Sequence, residues 1–177
     1  MKKIAFLLLA TTLSGSALTG PAAAQSMGEK SGVNSALGVA PKTADFVKEV
    51  AISDMFEIES SKLAQQKGSA AEKTFAAQMI TDHTKTSSEL KSAVGSKFEV
   101  PAALDSSHQS KLDKLKNEKP EDFAKTYADD QISAHKDAVS LFERYAKGGD
   151  DAGLKAWADK TLPALKHHLE MANNLKK

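Results

Sequence analysis

The stretch TADFVKEVAISDMFEIESSKLAQQKGSAAEKTFAAQMITDHTKTSSELKSAV, residues 43–94, decides the fold. Its first half carries Phe46, Val50, Ser53, Glu57, Ser60 and Ala64 at spacings of three and four, and Ile52, Phe56 and Leu63 widen the apolar face. That period is helical, because residues three and four apart share one side of a helix. Thr43 is the expected N-cap. Gly68 supplies the stop after Lys67, and Ser69 with Glu72 three residues on reads as a capping box that opens a second helix. The second helix, about Ala70 to Val94, carries the stripe Ala76, Met79, Ile80, His83, Ser87, Leu90 and Val94. A turn of one or two residues makes the two helices antiparallel neighbours.

Outward from this hairpin the pattern repeats. Residues 96–119 form a longer connection in which Leu104, Leu112 and Leu115 suggest a short amphipathic helix. Pro120 suits the first position of a third helix, 120–147, with the stripe Phe123, Tyr127, Ile132, His135, Val139 and Phe142. Gly148 and Gly149 end it. Asp150 or Asp151 then caps a fourth helix, 151–175, carrying Leu154, Trp157, Leu162, Leu165, His168, Ala172 and Leu175. Alternating strand signals are missing. Four amphipathic helices of about 25 residues, each roughly 37 Å long, bury every stripe if they pack together. The expected fold is all-α: a ferritin-like four-helix bundle over 43–177, two antiparallel hairpins joined by a long crossover containing a short helix. An up-down-up-down bundle is the nearest competitor.

The N-terminus reads as an address label. Lys2 and Lys3 precede the apolar run Ile4–Ala10, and Ala22-Ala23-Ala24 before Gln25 offers an A-x-A cleavage site. The run is too short to span a bilayer. We expect residues 1–24 to be a signal peptide cleaved near Ala24-Gln25, and the product to be periplasmic or secreted. The Ser-, Gly- and Ala-rich residues 25–42 read as a flexible leader. No later run is long and apolar enough for a membrane helix.

Composition narrows the chemistry. The 24 Lys+Arg and 23 Asp+Glu nearly balance, so no basic stripe marks a nucleic-acid binder. The Lys-rich segment 111–119 is interrupted by acids and reads as a solvated face. Arg144 is the only arginine, which equips the chain poorly for bidentate phosphate recognition. Cysteine is absent, which removes disulfides, thiol catalysis and cysteinyl metal sites.

The stretches FVKEVAISDMFEIESSKLAQQKG (46–68), FAAQMITDHTKTSSELK (75–91), AALDSSHQSKLDKL (102–115), YADDQISAHKDAVSLFE (127–143) and LKAWADKTLPALKHHLEMA (154–172) resemble a family. It is the ferritin-like family of bacterial envelope proteins known as domain of unknown function 4142, whose members are often labelled predicted outer membrane proteins. The resemblance covers essentially 43–175. It implies a secreted four-helix bundle and no particular reaction.

One constellation carries chemistry. Each predicted helix places a potential ligand on its buried stripe: Glu57, His83, His135 and His168. Buried imidazoles need partners, and three of them with a carboxylate suit one divalent ion, whether zinc, iron, copper or manganese. Asp54, Glu59, Asp82 and Asp130 are candidates to orient the rings. Counting from the turns, Glu57 and His83 differ in level by roughly 6 Å, and His135 and His168 by roughly 9 Å. Asp54 matches the level of His83 better. The Glu-x-x-His pair of di-iron proteins is missing, since Ile80, Ile132 and Leu165 stand three residues before the histidines. An enzyme is therefore not the expected reading, and no nucleophile elbow supports a hydrolase around Asp82-His83. His108 and His167 are expected at the surface, His167 because adjacent helical residues point about 100° apart. The alternative to metal binding is a non-catalytic envelope interaction or stress-protection protein with structural core histidines. Its partner would be an envelope protein or a second copy.

Overall fold

The computed structural model describes residues 32–176. The expected signal peptide, its cleavage site and the leader up to residue 31 lie outside them. Among the described residues the chain is all-helical, with no strand. The helices are α1 (Val33–Ala36), α2 (Thr43–Lys67), α3 (Ala70–Val94), α4 (Ser106–Asn117), α5 (Pro120–Gly148) and α6 (Ala152–Asn174). The four long ones match the periodicity to within a residue or so at each end. None is long and apolar enough to cross a membrane.

Turn chemistry builds the hairpin α2–α3. The Ser69 backbone N–H donates to Glu72 Oε2 (2.7 Å), while Glu72 N–H donates to Ser69 Oγ (3.4 Å). This reciprocal pair satisfies two orphan donors of α3. Gly68 is required by close approach, because a Cβ there would stand 2.7 Å from the Ala64 carbonyl oxygen and 2.9 Å from Glu72 Cβ. The second hairpin, α5–α6, turns at Gly149, where a Cβ would meet the Tyr145 ring at 2.7 Å. Asp151, not Asp150, caps α6, accepting from Leu154 N–H at 2.9 Å.

Thr43 is not the N-cap of α2. Lys42 holds that position without a side-chain cap bond, and Thr43 is the first helical residue. The Thr43 hydroxyl is taken instead by Tyr145 Oη (2.6 Å) and the Asp150 carboxylate, and Thr43 N–H donates to Asp150 Oδ1 (3.1 Å). A tertiary clamp between the start of α2 and the α5–α6 turn has displaced the local cap. The preceding segment packs on α5: Arg144 donates to the Val39 carbonyl (2.7 Å), and Ser35 and Ser140 hydroxyls meet at 3.2 Å.

Helix α2 packs on α3 and α5, α6 packs on α5 and α3, and α4 lies against α2 and α5. Their buried faces form two separate apolar cores. One gathers Phe46, Val50, Leu90, Val94, Phe142, Tyr145, Leu154 and Leu165. The other gathers Ala64, Phe75, Met79, Leu115, Phe123, Tyr127, Ile132 and Ala172. On each long helix the stretch between the two cores is polar and still buried: Asp54, Glu57 and Ser60 on α2, His83 on α3, His135 on α5 and His168 on α6. The fold thus places one ionisable layer between two apolar cores.

Phe46 anchors the first core. Its ring stacks on Tyr145 (3.8 Å between centroids) and meets Phe142 and Trp157 edge-on (5.2 and 6.2 Å). Phe46→Ala should lower unfolding free energy by about 3–5 kcal/mol in chemical denaturation. Val33→Ala, at a half-exposed side chain, should change it by less than ~0.5 kcal/mol.

Candidate metal centre

The level of each layer residue follows from where its helix begins or ends. Asp54 stands thirteen residues before Lys67 and His83 thirteen after Ala70, so the two face each other across the α2–α3 hairpin. Glu57 lies one turn nearer the hairpin's tip. His135 stands thirteen residues before Gly148 and His168 sixteen after Ala152. That offset is about 4.5 Å, not the 9 Å obtained by counting through the turn, because the extended link Gly149–Asp151 contributes no helical rise.

The three histidines come together. Their ring centroids form a nearly equilateral triangle: 5.6 Å from His83 to His135, 5.6 Å from His83 to His168 and 5.5 Å from His135 to His168. All three are buried, and one ring nitrogen from each lies within 4.8 Å of the others. An ion at the centre of such a triangle lies at most about 2.8 Å from each nitrogen, against roughly 2.0–2.1 Å for a zinc–imidazole bond. Inward shifts of less than about 1 Å per ring close the difference. Such a cluster can hold a metal ion. Glu57 is buried in the same layer but is not part of that tight group.

Each ring is held by one nitrogen. His83 Nδ1 bonds Asp54 Oδ1 (2.7 Å), and Ser87 Oγ donates to Asp54 Oδ2 (3.0 Å). His135 Nδ1–H donates to the Gln131 carbonyl (2.9 Å). His168 Nε2 bonds Asp82 Oδ2 (2.9 Å), and Gln78 Nε2 donates to the same oxygen (2.6 Å). Because carboxylates and carbonyls accept, these nitrogens carry the protons, and in a neutral ring the other nitrogen keeps a lone pair. Those other nitrogens, His83 Nε2, His135 Nε2 and His168 Nδ1, are buried without a hydrogen-bond partner. So are both carboxylate oxygens of Glu57 and Oε1 of Gln131. The Gln131 amide lies beside Glu57, yet its Nε2 donates to Ser60 Oγ at 3.1 Å. Folded proteins rarely leave so many buried polar atoms unpaired in one place.

A protein-family model described as Domain of unknown function (DUF4142) matches residues 28–175. The chain belongs to this family. No curated protein and no solved structure matches it. The DUF4142 match spans the whole polar layer and names no chemistry for it.

Electrostatics in this DUF4142 chain sort the layer into charged and neutral groups. Burial pushes the Glu57 carboxyl up to about 7, with the His83 charge opposing. Burial alone would depress His83, but the Asp54 hydrogen bond and the charges of Asp54, Glu57 and Asp82 outweigh it and hold the ring above its ordinary value. Asp54 is raised, because its burial exceeds the help from His83 and Ser87. Burial, reinforced by charge on His83, drives His135 down to about 3. His168 is lowered by burial and by His83, against the pull of Asp82. At neutral pH His135 and His168 are therefore neutral imidazoles with free lone pairs.

Of the four acids expected to orient rings, Asp54 and Asp82 do so. Glu59 is exposed and pairs with Lys62 (2.6 Å). Asp130 is half-buried and faces the charges of Lys111 and Lys114. Sequence reasoning overlooked Gln131, whose place four residues before His135 was the available signal for a backbone partner. His167 is exposed as expected, whereas His108 is half-buried, bonded to Asp105 Oδ1 (2.8 Å) with its ring edge-on to Phe56.

The His135 shift sets a pH dependence for the metal-free protein. Between its ordinary value of 6.5 and about 3, the unfolded chain binds a proton that the folded chain refuses. This contribution to stability is complete above 6.5 and is lost as pH falls, at up to about 1.4 kcal/mol per pH unit. Glu57, raised from 4.5 to about 7, acts with the opposite sign, losing stability as pH rises through that window. Denaturation curves of wild type and His135→Leu at a series of pH values isolate the histidine. The wild-type minus variant difference should fall from pH 6.5 toward pH 4.

Proposed function

We propose that this chain is an exported, ferritin-like four-helix bundle that binds one divalent transition-metal ion in its interior. His83, His135 and His168 supply the nitrogens left without partners, and Glu57 supplies a carboxylate. The observation that carries this reading is three buried imidazoles on three different helices that bring ring nitrogens within 4.8 Å of one another and each keep one nitrogen without a partner. An imidazole-rich set with one carboxylate suits zinc, copper, iron or manganese better than calcium or magnesium, which prefer all-oxygen shells. The ion would neutralise Glu57 and remove the desolvation penalty of the unpaired nitrogens, so it would also stabilise the fold. The N-terminal pattern of Lys2-Lys3, Ile4–Ala10 and Ala22-Ala23-Ala24 supports export to the periplasm or beyond the cell.

A second reading has one observation in its favour. Each of the three buried histidines already has a partner of its own, Asp54, the Gln131 carbonyl or Asp82. A metal-free protein with structural histidines, acting by contact with an envelope partner, would use the layer only to fix helix register.

Untagged protein stripped with chelator, dialysed separately against zinc, copper(II), iron(II) and manganese(II), and analysed for bound metal decides between them. One equivalent of at least one metal is expected, with His83→Ala, His135→Ala and His168→Ala each losing most of it. Substoichiometric metal in every case favours the second reading.

A further inference from the structure

The three rings are not held equally, and the difference points to how an ion enters and leaves. The partner of His83 is Asp54, whose side chain is 4 % exposed and is itself held by Ser87. The partner of His135 is a backbone carbonyl of its own helix, which cannot swing away without unwinding α5. The partner of His168 is Asp82, a side chain 31 % exposed on α3. Asp82 is steadied by Gln78, which is exposed.

Releasing a ring requires breaking its second hydrogen bond and rehydrating what is left. For His83 that leaves a buried carboxylate held by Ser87 alone, and for His135 it takes the second donor from a buried carbonyl that keeps only its helical bond within α5. Both are costly because neither group can turn to water. Asp82 can rotate into solvent, where its carboxylate is hydrated at little cost. His168 is thereby the ring with the lowest barrier to leaving. It also presents Nδ1 where the other two present Nε2, so a modest turn of its ring displaces the donor atom.

We propose that Asp82 is the latch of the metal centre: by holding His168 through Nε2, it fixes the tautomer that leaves Nδ1 free and sets the rate at which the ion is loaded and released through the α3–α6 face. This rests on the metal-binding reading. Asp82 is a positioning residue that acts through His168.

The test uses the full chain loaded with zinc and, separately, with copper(II). Release is followed after mixing with excess chromogenic chelator, for wild type, Asp82→Ala and Asp82→Asn. Loss of an orienting partner typically weakens metal binding about 10–100-fold. Asp82→Ala should release the ion at least about tenfold faster than wild type. Asp82→Asn, whose amide oxygen can still accept from Nε2–H, should fall between them. In the metal-free proteins, nitrogen-15 spectra of the His168 ring should show the Nε2–H tautomer in wild type and its loss in Asp82→Ala, with the unfolding midpoint little changed. Wild-type uptake with an unchanged release rate in Asp82→Ala overturns the latch alone, as does persistence of the Nε2–H tautomer in that variant. No uptake of either ion by wild type overturns the metal reading, and the latch falls with it.

Discussion

Everything in this molecule depends on a desolvated layer in which three imidazoles and a carboxylate face one another without enough hydrogen bonds. Apolar cores lie above and below it. The helices cannot slide to relieve it, because the Ser69–Glu72 capping box fixes one hairpin and the Thr43–Tyr145–Asp150 clamp ties the other to α2. The orienting bonds from Asp54, the Gln131 carbonyl and Asp82 then decide which nitrogen of each ring is left free. Fold and site are thus one construction, in which turn chemistry sets the level of each histidine and those partners set its direction.

The electrostatic pattern follows from the same geometry. Only one of the three rings is held above its ordinary pKa, because only His83 has a fully buried carboxylate beside it. Its charge then discourages protonation of the other two. The layer in the absence of an ion therefore keeps its protons on the His83–Asp54 pair and the Glu57 carboxyl rather than on His135 or His168. A metal cation entering there would compete with those protons, which links occupancy to pH through ordinary ligand deprotonation.

Much of this was legible in the sequence, for identifiable reasons. Helices α2, α3, α5 and α6 were readable because their apolar residues repeat at the helical period and Gly68 and Gly149 stand where turns must form. The three histidines were readable because each falls on an apolar stripe. Convergence was harder to read. Counting rise through Gly149–Asp151 exaggerated the separation of His135 from His168, since an extended link does not advance along the helix axis. Local rules also failed where tertiary bonds overrode them. Thr43 looks like a cap by residue type but is recruited by Tyr145 and Asp150. Glu59 and Asp130 have the right charge near the right histidines, yet helix geometry points them at lysines. Gln131 escaped notice because its backbone, which any residue could supply, does the orienting. The one-turn helix α1, four residues without a stripe, offers no period to detect.

A crystal of the stripped protein soaked with zinc or copper and measured at the metal's absorption edge tests the central claim most directly. The account predicts a single anomalous peak within bonding distance of His83 Nε2, His135 Nε2 and His168 Nδ1, with a Glu57 oxygen drawn toward it. A layer with no peak, its three rings still bonded only to Asp54, Gln131 and Asp82, or a peak at surface carboxylates alone, would contradict it.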